Sequence, residues 1–139
     1  MTDLERDPTA FLHETMPFCA TLGMRALALR PDEVRLALDW APGLCTTNGL
    51  LHGGAVMALA DAAGGACAFL NLPEGAAGTS TIESKTNFLG ALRAGALTAD
   101  AKALHVGSTT IVVETELRDD EGRLAAKVTQ TQMVLRPRG

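Results

Sequence analysis

The stretch GGAVMALADAAGGACAFLNL, residues 53–72, decides the fold, because from Trp40 to Pro73 the only formally charged residue is Asp61. A bilayer span would not carry an acid and four glycines (Gly53, Gly54, Gly64, Gly65) without flanking basic residues. The spacing therefore predicts a helix over about 53–70, buried on nearly all sides within a soluble protein. A lone carboxylate in such a helix is costly to desolvate unless partnered, so Asp61 reads as a functional acid. The plainer reading is a structural acid that caps backbone or pairs with a buried arginine.

Outward from the helix, EVRLALDW (33–40) places Val34, Leu36, Leu38 and Trp40 on one side and Glu33, Arg35 and Asp39 on the other, a half-buried strand. Beyond it, TSTIESKTNFL (79–89) alternates Ile82, Ser84, Thr86 and Phe88 against Thr81, Glu83, Lys85 and Asn87. GALTADAKALHV, TTIVVETEL and GRLAAKVTQTQMVL follow, separated by the turn signals Gly107-Ser108 and RDDEG (118–122). Before the first strand, Asp7 as N-cap and Pro8 at the first helical position predict a short helix over about 8–16. The order is a short helix, two strands, a long helix and four strands: an α+β layout with an antiparallel sheet packed by helix on one face.

The chain has 139 residues, 47% hydrophobic and 20% charged, which suits one domain spanning 1–139. Twelve basic residues against sixteen acidic, 4% aromatic content and no tyrosine provide neither a basic groove nor a base-stacking platform, so nucleic acid is not an expected partner. The opening MTDLERDPTAF has no apolar run of signal-peptide length, and a cytoplasmic location is expected. Cys19, Cys45 and Cys67 form no C-x-x-C pair and read as small buried hydrophobes.

Chemistry concentrates at the helix start, TTNGLLHGGAVMALAD (46–61). Gly53 and Gly54 leave the first helical N–H groups unshielded, and those donors at the positive end of the helix dipole suit a developing oxyanion, with His52 at the lip. The structural alternative is that His52 or Asn48 caps the helix and the glycines permit close packing. Eight residues separate Gly53 from Asp61, about 12 Å along a helix, so one chain cannot bring both to one carbonyl. If both act on one substrate, the amides come from one subunit and the acid from its two-fold partner, which requires a homodimer.

The run NGLLHGGAVMALAD (48–61), followed by the TSTIESKTNFL strand and four-strand β, resembles the hotdog-fold acyl-CoA thioesterases of the phenylacetyl-CoA (PaaI) type over about Phe18 to Leu135, with Leu22–Met24 matching an upstream L-G-M strand. The resemblance implies an antiparallel sheet wrapped around one long central helix. It further implies hydrolysis of a thioester to a carboxylic acid and free CoA, and dimers paired into tetramers. It implies no metal and no cofactor apart from the coenzyme A of the substrate; no membrane partner is expected either, since the apolar stretch fails as a bilayer span. Carried over by residue, His52 and Gly53 hold and polarise the carbonyl, Asp61 is general base or nucleophile, and Thr81 lies near the water. Where such enzymes place an Asn or Gln six residues ahead of the His, this chain has Thr46, and the only nearby amide is Asn48. Gly65 stands where another branch carries a hydroxyl residue and leaves space for substrate. Gly54, Met57 and Phe88, with Phe69 and Leu89, are expected against the substrate, and Arg93, Lys102, Arg136 and Arg138 are candidates for the CoA phosphates.

The other chemistries fit poorly. The three serines form no G-x-S-x-G elbow, and the three histidines lack metal-ligand spacing. A hotdog dehydratase is disfavoured because Thr47 stands five residues before His52. The remaining rival is a non-catalytic acyl-CoA or lipid-binding hotdog module, which would bind thioesters without turning them over.

Overall fold

A computed structural model describes residues 7–138. In chain order the elements are α1 (Pro8–Thr15), α2 (Pro17–Leu22), β1 (Arg25–Arg30), β2 (Glu33–Asp39), α3 (Gly53–Leu70), β3 (Gly78–Phe88), β4 (Ala96–Val106), β5 (Thr110–Arg118) and β6 (Leu124–Leu135). The six strands form one antiparallel sheet in the order β1-β2-β4-β5-β6-β3, and α3, which links β2 to β3, lies across one face. β1 and β3 are therefore the two edges.

Small residues let the helix approach closely. Ala60, Ala63 and Ala68 of α3 face Ala99, Ala101 and Ala126 of the sheet, all with no solvent exposure, while Leu36, Leu38, Leu59, Leu97, Ile111 and Leu117 fill the space around them. By length and composition α3 could cross a membrane, with mean hydropathy 1.5. Eight of its residues are instead buried within the chain.

The amino-terminal helix is two helices. Asp7 accepts from the Thr9 amide at 3.1 Å and Pro8 opens α1, as the sequence indicates. Pro17, which cannot donate to continue α1, opens α2 instead, and Gly23 ends α2 in the left-handed conformation (φ 75°). Leu22–Met24, expected as strand, is this helix end and turn, and β1 starts at Arg25. The helical pair is tied to β1 and its approach by Ala26 N–H donating to Thr9 Oγ1 (3.0 Å) and by a 2.6 Å bond between His13 Nε2 and the Met24 carbonyl.

Two further expectations change. Gly54, Met57, Asp61 and Phe69, at helical spacing, form an exposed stripe along α3, so the helix is covered on one side and open on the other. On β3 the register against β6 slips between Thr81 and Glu83, leaving Ile82 as an extra residue in a bulge. The slip moves Thr81 out of the Glu83, Lys85 and Asn87 set. Thr81 pairs with Gln132, on the same side as Ser84, Thr86 and Phe88, which pair with Gln130, Val128 and Ala126.

Candidate active site

The mouth of α3 is built by the segment that follows β2. Cys45 and Leu51 pair as an isolated bridge, the Leu51 amide donates to the Leu92 carbonyl and the His52 amide to the Leu44 carbonyl, each at 2.9 Å. Between them a short turn, Thr47–Gly49, is pinned by Trp40 Nε1 donating to the Gly49 carbonyl (2.9 Å). Asn48 sits in that turn in the left-handed region (φ 63°), where asparagine is among the tolerated residues, and it is exposed beside exposed Thr46.

His52 is the N-cap: its Nδ1 accepts from the Gly54 amide at 2.7 Å. An accepting Nδ1 carries no proton, so the neutral ring holds its proton on Nε2 as a donor facing outward. The glycines divide the work. A Cβ at Gly54 would lie 2.9 Å from His52 Nδ1, so only glycine gives the capping ring room, and the Phe88 ring lies 3.3 Å from where a Cβ of Gly53 would be. Both amides were expected to be open, but the Gly54 amide is taken by the cap. Ala55 N–H already donates to the His52 carbonyl (2.9 Å), whereas Gly53 N–H has no partner among the described residues. The mouth therefore presents one open amide and one imidazole N–H beside a hollow of about 290 Å³ lined by Thr46, Gly53, Val56 and Phe88.

Two helical turns on, Asp61 lies on the exposed stripe and not in the apolar interior. Its Oδ1 accepts from Gln130 Nε2 at 2.7 Å, and Gln132 Nε2 donates to Thr81 Oγ1 at 2.6 Å. Asp61, Gly65, Thr81 and Gln132 line one end of a cavity of about 490 Å³. Its remaining wall is mostly apolar, with Phe11 from α1, Met16 from the α1–α2 junction, Leu29 from β1 and Phe69 from α3, beside Thr15 and Thr79. Thus the structure joins Asp61, Thr81 and Gly65 in one place and His52, Gly53, Thr46 and Phe88 in another. Met57 lies on the stripe between them.

Gln130 and Gln132 escaped the sequence reading, although they share the strand parity of buried Val128 and Val134. Arg93 lines a separate hollow with Asp119, Asp120, Glu121 and Arg123, where Arg123 pairs with Asp119 at 2.9 Å. Arg136 is engaged by the carbonyls of Glu74 and Ser108 (2.9 and 2.8 Å) and ties the sheet end to neighbouring turns. Burial raises the thiols of Cys19 and Cys67 above the usual range, and the Asp61 charge pushes Cys19 further, so neither is an activated nucleophile. Among the described residues no cluster of His, Cys, Asp and Glu could hold a metal ion.

A long helix of small residues across a six-stranded antiparallel sheet, with an acid on its flank and an open amide at its start, defines the class, and comparison gives the family. The thioesterase superfamily model matches residues 48–126, and the chain belongs to that family. The hotdog fold and the likeness to PaaI-type proteins both stand. A variant of thioesterase PA1618 from Pseudomonas aeruginosa superposes with a TM-score of 0.84 at 28% identity, covering 94% of this chain and 96% of that one. A variant of the phenylacetic acid degradation protein PaaI from Thermus thermophilus gives 0.78 at 27% identity over 86% of this chain and 99% of its own. The 1,4-dihydroxy-2-naphthoyl-CoA hydrolase of Escherichia coli is 34% identical over 87 residues, 63% of either chain.

Proposed function

We propose that the protein is an acyl-CoA thioesterase working as a two-fold homodimer, with dimers pairing further into tetramers, in the cytoplasm. The observation that carries this reading is the open stripe of α3. It holds a carboxylate at the rim of a largely apolar cavity, while the open Gly53 amide and the His52 ring N–H lie about 12 Å away at the helix start. A second copy related by a two-fold axis beside α3 brings Asp61 of one protomer to the Gly53 amide and His52 Nε2–H of the other. The β3 edge supports the pairing: its Glu83-Ser84-Lys85 triplet is self-complementary, because antiparallel apposition about Ser84 sets each Glu83 opposite a Lys85.

In that arrangement the thioester carbonyl accepts from Gly53 N–H and His52 Nε2–H, donors that stabilise the oxygen as charge develops and need no reorganisation. Asp61 takes a proton from water as the water oxygen attacks the carbonyl carbon. The C–S bond then breaks and the proton passes to the CoA sulfur. Direct attack by the Asp61 carboxylate, followed by hydrolysis of the mixed anhydride, uses the same atoms. The acyl group occupies the cavity beneath α1. Asn48 and Thr46 face the thioester side, and Arg93, in its separate hollow, is a candidate for the CoA phosphates.

Release of free thiol from short-chain, medium-chain, phenylacetyl and benzoyl CoA esters tests the reading. Turnover of one class is the expected result; binding of these esters without turnover would replace it with the non-catalytic module.

A further inference from the structure

We propose that Gln130 and Gln132 are positioning residues of this site, Gln130 fixing the Asp61 carboxylate and Gln132 aiming the Thr81 hydroxyl; the inference rests on the thioesterase reading above. The two glutamines and Thr115 are the buried polar residues among those described, and each glutamine is 1% exposed. Two positions apart on β6, they point the same way, and each gives an amide proton to one polar group at the rim of the same cavity.

Packing alone does not account for Gln130. Among the described residues its Oε1 is buried without a partner, a cost to stability that a methionine or leucine in the same space would not carry. Its carboxamide also fills the volume a Cβ at Gly64 would need, in the middle of a helix where glycine is unfavourable relative to alanine. One requirement explains both locally unfavourable choices: a neutral donor held beneath Asp61. The bond to Oδ1 fixes the carboxylate plane and leaves Oδ2 without an intrachain partner, free for water or substrate. Gln132 acts by direction. Because Thr81 Oγ1 accepts from Nε2, its own proton must point elsewhere, and Thr81 lies at the cavity.

The test is steady-state hydrolysis and thermal melting of Gln130→Met. We expect kcat to fall about 10- to 100-fold, the range seen when a group that orients a functional ligand is removed, with KM nearly unchanged and a melting temperature equal or higher. A lowered melting temperature with kcat retained would show a merely structural glutamine and overturn the proposal. Gly64→Ala reaches the same amide from the helix side, should the first variant fold poorly. It should lose kcat similarly, and the double variant should lose no more than either alone; additive losses would overturn the coupling. Gln132→Met should show a smaller loss, again in kcat. Turnover by the unaltered protein that persists in Gln130→Met overturns this inference alone, whereas no turnover by the unaltered protein on the ester panel overturns the thioesterase reading with it.

Discussion

The two edges of the sheet are treated in opposite ways. β1 is six residues long, breaks its register between Ala26 and Ala28, and ends in arginines engaged by Asp39 (2.8 Å) and by Asp32 and Glu33 (3.4 and 3.1 Å), with α1 packed beside it. β3 is eleven residues long, its only charged side chains are Glu83 and Lys85, and nearly all of it is exposed. Each edge carries one register break and two charged side chains, so length and cover make the difference: short and covered is how a sheet edge is closed to strangers, long and bare is how one is left open. The open edge flanks the exposed stripe of α3 that carries Asp61, so the candidate site and the proposed seam share one surface.

The most severe way to break this contrast separates the two halves of the site. Asp61→Asn should lower kcat by about 10² to 10⁴. Gly53→Pro deletes the open amide where proline suits a helix start, and the extended His52 (φ −63°, ψ 136°) before it is compatible with a following proline. With the Phe88 ring shifting slightly, that variant should lose about 10² to 10³. Refolded together, the two inactive proteins should regain about a quarter of full activity, because half the dimers are mixed and each holds one intact site. No regain would place the whole site within one chain and close the β3 edge as a seam.

A milder change sharpens the contrast. Glu83→Lys should weaken the dimer about 2- to 30-fold in Kd, for two cross-strand pairs at about 0.2–1 kcal/mol each, and adding Lys85→Glu should restore it. Leu27→Lys on the β1 edge should leave Kd unchanged, as sedimentation would show. The smallest effect concerns Asp100, on β4 away from the site. Burial, and then the nearby Glu33 charge, raise its carboxyl above the ordinary value near 3.8 despite Arg35 at 3.5 Å. A raised carboxyl means the folded chain binds more protons than the unfolded one, so stability is lost as pH rises through the shifted value. Asp100→Asn should therefore melt slightly higher at pH 7, with the gain vanishing below about pH 4.

Much of this was legible because period and composition speak for whole elements. The window whose one charge is Asp61 marked α3, the 33–40 alternation marked β2, and the glycine and polar turns separated β4, β5 and β6. What escaped depended on single contacts. Asp61 read as buried because its neighbours are apolar, yet an open helix face has the same composition as a covered one when a second surface is to meet it. Thr81 changed sides because one bulged residue, Ile82, resets strand parity, and no alternation count shows where a bulge falls. Gln130 and Gln132 did leave a trace, since V-T-Q-T-Q-M-V puts both on the parity of the buried valines. Taking that parity literally would have placed two amides in the core and prompted a search for what they hold.

The cavity beside Asp61 is roofed by a piece of chain that performs none of the chemistry. α1 supplies Phe11 and buried Leu12, and the junction between α1 and α2 supplies Met16. The pair is fastened by a few hydrogen bonds to β1 and its approach, while the Asp61 carboxylate, the Gly53 amide and the His52 imidazole stand on α3 and its entry turn. The cavity wall is thus shaped in part by a stretch of sequence separate from the one that carries the proposed reacting groups. Under the thioesterase reading proposed above, exchanging residues 8–22 for another helical pair of matching attachment should shift which thioesters are turned over more than how fast the preferred one is.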